Sequence, residues 1–124
     1  MIDINGFISA VLKQDGAAIR SYFTDDAVIS WHCTNERFTV DEFVTANCGY
    51  PGKWSGETEA VHRMDDLLVA VTKVCPGDRS ASFHCVSFIR CRGGKIASLD
   101  EYWADDGEPP EWRQKMKIGK PIHL

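Results

Sequence analysis

With 124 residues, 44% of them hydrophobic and 26% charged, the chain can bury one core but not two. Its formal charge of −4, with the basic residues scattered, excludes the electrostatic footprint of a nucleic-acid or anionic-membrane binder. No apolar run approaches the ~20 residues that span a bilayer, and the acidic start MIDINGFISAVLK lacks a signal-peptide pattern.

Phe7, Ile8, Val11 and Leu12 recur at three- and four-residue spacing, which predicts an amphipathic helix with Asn5 as its N-cap and Gln14-Asp15-Gly16 as its end. A second short helix is expected over Ala17–Phe23, then a strand over Ala27–His32. Thr39 and Glu42 form the capping box of a third helix carrying Val40, Phe43, Val44 and Asn47 on one face. Gly49, Pro51, Gly52 and Gly56 make the next stretch a loop pinned by Tyr50 and Trp54. Glu57–Met64 and Leu67–Cys75 read as a hairpin around Asp65-Asp66, placing His62 opposite Val69 and Ala60 opposite Val71. Beyond Trp103 an acidic, proline-containing stretch breaks regular structure, and Trp112 is expected to pin the tail to the body.

The last hairpin, Ser82–Arg92 and Lys95–Trp103, turns at Gly93-Gly94, a pair free to take positive φ at both central positions. A two-residue turn without a bulge sets Arg92 against Lys95, Phe88 against Leu99, Val86 against Glu101 and His84 against Trp103. In that register His84, Val86, Leu99, Glu101 and Trp103 share one face, while Cys85, Ile89, Cys91, Ile96, Asp100 and Tyr102 share the other. The second set is too apolar to leave wet, which predicts a homodimer through the sheet's outer face. The five cysteines, at 33, 48, 75, 85 and 91, include no CxxC pair. They are expected to be reduced thiols in a cytoplasmic protein. Cys85 and Cys91 lie roughly 20 Å apart along one extended strand, too far to share a metal.

The order helix, helix, strand, helix and four antiparallel strands is α+β, a curved antiparallel sheet packed on N-terminal helices. FTDDAV at 23–28, GGKIASLDEYW at 93–103 and the ending YWADDGEPPEWR resemble the nuclear transport factor 2-like superfamily, in its SnoaL-like and ketosteroid isomerase-like branch. The resemblance implies a cone-shaped, cystatin-like fold, one SnoaL-like domain over 1–124, and an open-mouthed pocket for a small molecule. It also implies work without a cofactor or metal. The isomerases' general-base Asp corresponds to Trp31, their phenol donor to Phe7, and their protonated Asp to the stretch Val86 to Phe88, so their acid/base set is missing. The resemblance turns Ala97, Leu99, Glu101 and Trp103 toward the cone, together with Trp31, Val69, Val71, His62 and, nearer the rim, Lys73.

Two functional readings follow. In one, His84 and Glu101 form an acid/base pair in a cofactor-independent isomerase, cyclase or hydrolase, with Trp31, His62, Val86, Leu99 and Trp103 around the ligand. In the other, the chain is a non-catalytic binding or dimerisation module holding an apolar or aromatic ligand between Trp31 and Trp103. A structural reading of Glu101 also stands, as a buried partner of His84 or a tie for the loop after Trp54. His62, His84 and Glu101 would be the set for a metal, but no metal, nucleic-acid or membrane role is expected.

Overall fold

A computed structural model describes residues 2–123. Its order is α1 (Ile4–Leu12), α2 (Gly16–Ser21), β1 (Phe23–Trp31), a 3-10 turn (His32–Thr34), β2 (Glu36–Phe38), α3 (Val40–Gly49), β3 (Trp54–Met64), β4 (Leu67–Pro76), β5 (Phe83–Arg92), β6 (Lys95–Asp105) and α4 (Glu111–Gln114). The six strands form one open, curved sheet in the order β2-β1-β6-β5-β4-β3, which with its helices is the expected α+β arrangement. β1 runs parallel to β6; every other neighbouring pair is antiparallel.

The helices begin where side chains can take up their free N–H groups. Asp3, not Asn5, caps α1 through the Gly6 N–H, Asp15 caps α2 through the Ala18 N–H, and Thr39 and Glu42 form the capping box of α3. Their apolar faces lie on the concave side of the sheet. Phe7, Ile19 and Phe43 meet Phe23, Ile29, Leu68, Ile89, Ile96 and Leu99 in one core. Phe7–Phe23 and Phe23–Phe43 pack edge to face at 5.6 and 5.5 Å. Outside the sequence reading lay β2, the 3-10 turn, α4 and the N-terminal half of β1, which takes in Phe23 and so shortens α2 to end at Ser21. Trp112 is 64% exposed and does not pin the tail.

The last hairpin carries the main correction. Gly93 and Gly94 do form the two-residue turn, with φ of 60° and 79°, and Arg92 faces Lys95 and Cys91 faces Ile96. Ala97 is then an extra residue on β6: Arg90 faces Ser98, Ile89 faces Leu99, Ser87 faces Glu101 and Cys85 faces Trp103. One inserted residue changes which β5 side chains share a face with Leu99, Glu101 and Trp103. Cys85, Ser87 and Ile89 are buried on the concave side, as is Ile96, and His84, Val86 and Phe88 project from the convex side. β4 follows β5, so Leu68, Ala70 and Thr72 turn inward and Val69, Val71 and Lys73 outward, with His62 beside Val69. The expected inward placement of His62, Val69, Val71, Lys73, His84 and Val86 is therefore reversed, as is the outward placement of Cys85, Ile89 and Ile96.

β3 reaches the helices through a residue with no side chain. A Cβ on Gly56 would lie 2.6 Å from the Lys73 carbonyl oxygen and 3.3 Å from the Leu12 side chain. Because the first of these contacts is backbone, Gly56→Ala should destabilise the fold by about 1–3 kcal/mol. Gly107, with nothing within 4 Å of its Cβ position, should tolerate the same change within about 0.5 kcal/mol. Urea denaturation of the two variants checks the contrast.

Candidate functional site

At one end of the concave face the sheet, the C-terminal turns of α1 and α3, and the loop into β3 enclose a cavity of about 280 Å³. Trp31 ends β1 and Trp103 lies near the end of β6; the two rings meet at 70° with centroids 6.4 Å apart. Across from them, Tyr50 packs edge-on to Trp54 at 4.7 Å, and Trp54 leans on Phe83 at 6.0 Å. Gln14, in the positive-φ position that ends α1, ties the helices together there by donating to the carbonyls of Asn47 (2.8 Å) and Tyr50 (2.6 Å).

Glu101 faces inward and is buried behind this wall. Its Oε1 accepts from Trp31 Nε1–H at 3.1 Å; its Oε2 accepts from the Ser87 hydroxyl at 2.5 Å and the Cys85 thiol at 3.4 Å. Burial pushes the Glu101 pKa above the usual carboxylate value, and the three donors pull it only part of the way back. Burial, and then the Glu101 carboxyl, push the Cys85 pKa far up, so Cys85 stays a thiol donor and does not become a thiolate nucleophile. Glu101 thus acts on the cavity through Trp31, whose indole it holds in place.

Of the residues singled out from sequence, Trp31 and Trp103 line the cavity. Leu99 faces inward but is wholly buried in the core. His62, Val86 and His84 stand on the convex side, so His84 and Glu101 lie on opposite faces of the sheet and form no pair. The trio His62, His84 and Glu101 cannot surround one ion for the same reason. Among the described residues, no group of three His, Cys, Asp or Glu is placed to hold a metal. His84 instead bridges Asp106 through Nδ1 and Glu59 through Nε2 (2.9 Å), joining β3, β5 and the segment after β6. The hydrogen bond that His84 Nδ1–H donates to Asp106 is the main reason its pKa lies above the usual imidazole value. Glu101 does not tie down a loop after Trp54: Trp54 opens β3, and the loop before it is held by Trp54 Nε1–H donating to the Pro51 carbonyl at 3.1 Å.

Sequence reasoning missed Gln14, Asn47, Phe83 and Asp105 as cavity residues, and read Tyr50 only as a loop pin. The available signal was the density of aromatic residues in a glycine- and proline-rich loop, which a surface loop has no reason to carry unless it closes over something.

The raised pKa of Glu101 has a pH signature. A buried acid of this kind contributes stability that is complete below its unfolded pKa, about 4.3, and is lost as pH rises through the higher folded value. Glu101→Gln keeps the shape and cannot ionise. Relative to wild type it should therefore gain stability as pH is raised above about 4.3. Urea denaturation of both proteins in steps from pH 3.5 to 8 checks this; a relative loss for the variant over that range would mean that the site prefers the carboxylate.

The profile of the SnoaL-like domain family matches residues 4–99. Among solved structures, a candidate ketosteroid isomerase from Kribbella flavida superposes with a TM-score of 0.80 at 17% identity, covering 98% of this chain and 89% of its own. A nuclear transport factor 2-like protein of unknown function from Burkholderia xenovorans gives 0.77 at 21% identity, over 95% and 91% of the two chains. A protein of ketosteroid isomerase-like fold from Catenulispora acidiphila, in complex with trimethylamine, gives 0.65 at 16% identity, over 80% and 82%. No curated protein matches the chain. With the family profile covering most of its length, the chain belongs to the SnoaL-like domain family, and it shares its fold with nuclear transport factor 2-like proteins.

Proposed function

We propose that this chain is a SnoaL-like pocket protein that holds a small apolar or aromatic molecule between Trp31 and Trp103, as one domain over 1–124 and without a cofactor. The observation that carries this reading is the cavity of about 280 Å³ walled by Trp31, Tyr50, Trp54, Phe83 and Trp103. That volume is near the lower end of the ligand-pocket range and suits a one- or two-ring molecule. A neighbour of the same fold in complex with trimethylamine supports a small occupant. Binding is favoured over turnover because the pair on which an isomerase, cyclase or hydrolase reading relied is divided between the two faces of the sheet. Asp105 is the only charged side chain lining the cavity among the described residues. Five unpaired cysteines support a cytoplasmic address, and no described helix is long and apolar enough to cross a membrane.

The same reading includes a homodimer, through a different set of residues from the one the sequence suggested. Val69, Val71, Val86, Phe88 and Tyr102 form an apolar stripe on the convex face. His32 stacks on Tyr102 at 4.5 Å, and Phe88 packs edge-on to it at 5.9 Å. Groups of both signs flank the stripe, Lys73 and Arg90 with Glu59 and Asp100, so a two-fold copy can set opposite charges against each other.

Two experiments test these readings. Ligand-observed NMR with a set of one- and two-ring aromatic fragments should show saturable binding. Ala46→Trp, which fills the cavity from α3, should abolish it without unfolding the chain. Undiminished binding by a folded Ala46→Trp protein, or no saturable fragment at all, would overturn the pocket reading. Light scattering at high micromolar concentration should give about twice the 13.9 kDa chain mass, with Val71→Glu returning it to one; a wild-type monomer refutes the dimer.

A further inference from the structure

The cavity wall leans to one electrostatic sign, because most of its side-chain donors are engaged elsewhere or turned away from the open space. Trp31 Nε1–H is held by Glu101, and Trp54 Nε1–H by the Pro51 carbonyl. Trp103 Nε1 is buried, with no acceptor among the described residues, and does not reach the open space. Gln14 Nε2 donates to two backbone carbonyls, Asn47 Nδ2 to the Phe43 carbonyl at 2.8 Å, and the Thr34 hydroxyl to Glu36 at 2.7 Å. Among lining side chains, the donors left over are the Tyr50 hydroxyl and the Cys33 thiol, both on exposed residues, and the second amide N–H of Asn47.

What faces an occupant is therefore the complement. The rings of Trp31, Trp54 and Trp103 carry negative potential on their faces, and near-perpendicular packing within the Trp31–Trp103 and Tyr50–Trp54 pairs turns those faces in several directions. The amide oxygens of Gln14 and Asn47 are acceptors by the same bookkeeping that engages their nitrogens. Asp105 adds a full negative charge, and no Lys, Arg or His lines the cavity among the described residues.

We propose that the cavity selects a small organic cation, an alkylated ammonium carried on an apolar or aromatic body; this deepens the pocket reading above and rests on it. Ring faces attract an alkylammonium without needing a hydrogen bond from it, and a single carboxylate at the edge supplies the compensating charge. A neutral ligand of the same shape gains the apolar contact but not the electrostatic part. A carboxylate or phosphate would find no cation to balance its charge and would share the cavity with the Asp105 carboxylate.

The test uses two molecules of matched shape, 4-hydroxyphenyltrimethylammonium and 4-tert-butylphenol, titrated calorimetrically into the wild-type protein at pH 7. The cation should bind about tenfold tighter or more, although the tert-butyl compound is the more hydrophobic of the two. Asp105→Asn should weaken the cation by about threefold, within the range of a partly screened charge, and should weaken the cation more than the phenol. Raising the salt concentration should act in the same direction as that substitution. Equal affinities, or tighter binding of 4-tert-butylphenol, overturn the cation inference and leave the pocket reading standing. Binding of neither compound also overturns it, and the fragment titration with Ala46→Trp then decides separately whether the pocket reading stands.

Discussion

A carboxyl group buried in a protein interior has to be satisfied by the protein itself, and the arrangement around Glu101 shows what that requires. Three donors from two strands converge on it: Trp31 on β1, and Ser87 and Cys85 on β5, while Glu101 itself belongs to β6. Removing the Trp31 donor would leave Oε1 without a partner where no solvent can replace it, and Oε2 is held by the Ser87 hydroxyl and the Cys85 thiol together. The network therefore fixes the relative positions of three adjacent strands near the mouth of the concave face. It also fixes the Trp31 indole, and with it one wall of the cavity.

The cavity is a consequence of where the packing ends. Through the middle of the sheet, Phe7, Ile19 and Phe43 fill the concave side completely, and Ile29, Ile89 and Leu99 are inaccessible. α1 stops at Leu12 and α3 at Gly49, and past those ends the strands continue uncovered. Trp31, Trp103, Tyr50, Trp54 and Phe83 occupy that region. They are large enough to exclude bulk water from the walls and too few to fill the volume. Small helical ties, above all Gln14 bridging to the end of α3, keep the ends of the two helices together and so keep the space open. The same closure directs side-chain nitrogens into backbone carbonyls, which is why an enclosure built for packing also has an electrostatic preference.

The convex face follows different rules. His84, which stands half-exposed between Asp106 and Glu59, is a tie between β3, β5 and the chain after β6. Its raised pKa means that this tie contributes most while the imidazole is charged, below its unfolded pKa, and fades as pH rises through the folded value. An imidazole paired with carboxylates looks like catalytic equipment in a sequence. Its position is on the face away from the cavity, where it ties strands together.

The amino-acid sequence by itself determined the elements and their kind. The period of Phe7, Ile8, Val11 and Leu12 specifies α1; Thr39 and Glu42 set the start of α3; Gly93-Gly94 fixes the last turn; and His62–Val69 and Ala60–Val71 pair as the hairpin around Asp65 requires. These are local signals, carried by spacing, caps and positive φ, and the α+β class follows from their order. Which side chains share a face was decided only by the tertiary structure. Ala97 is an ordinary small residue, and nothing local marks it as unpaired; it becomes a bulge because Ile96 and Leu99, at the odd spacing of three, must both be buried against the helices. A period-two strand cannot place both on one side without an extra residue between them. That requirement comes from the packed core, and it is what sends His84 and Val86 outward while leaving Glu101 within.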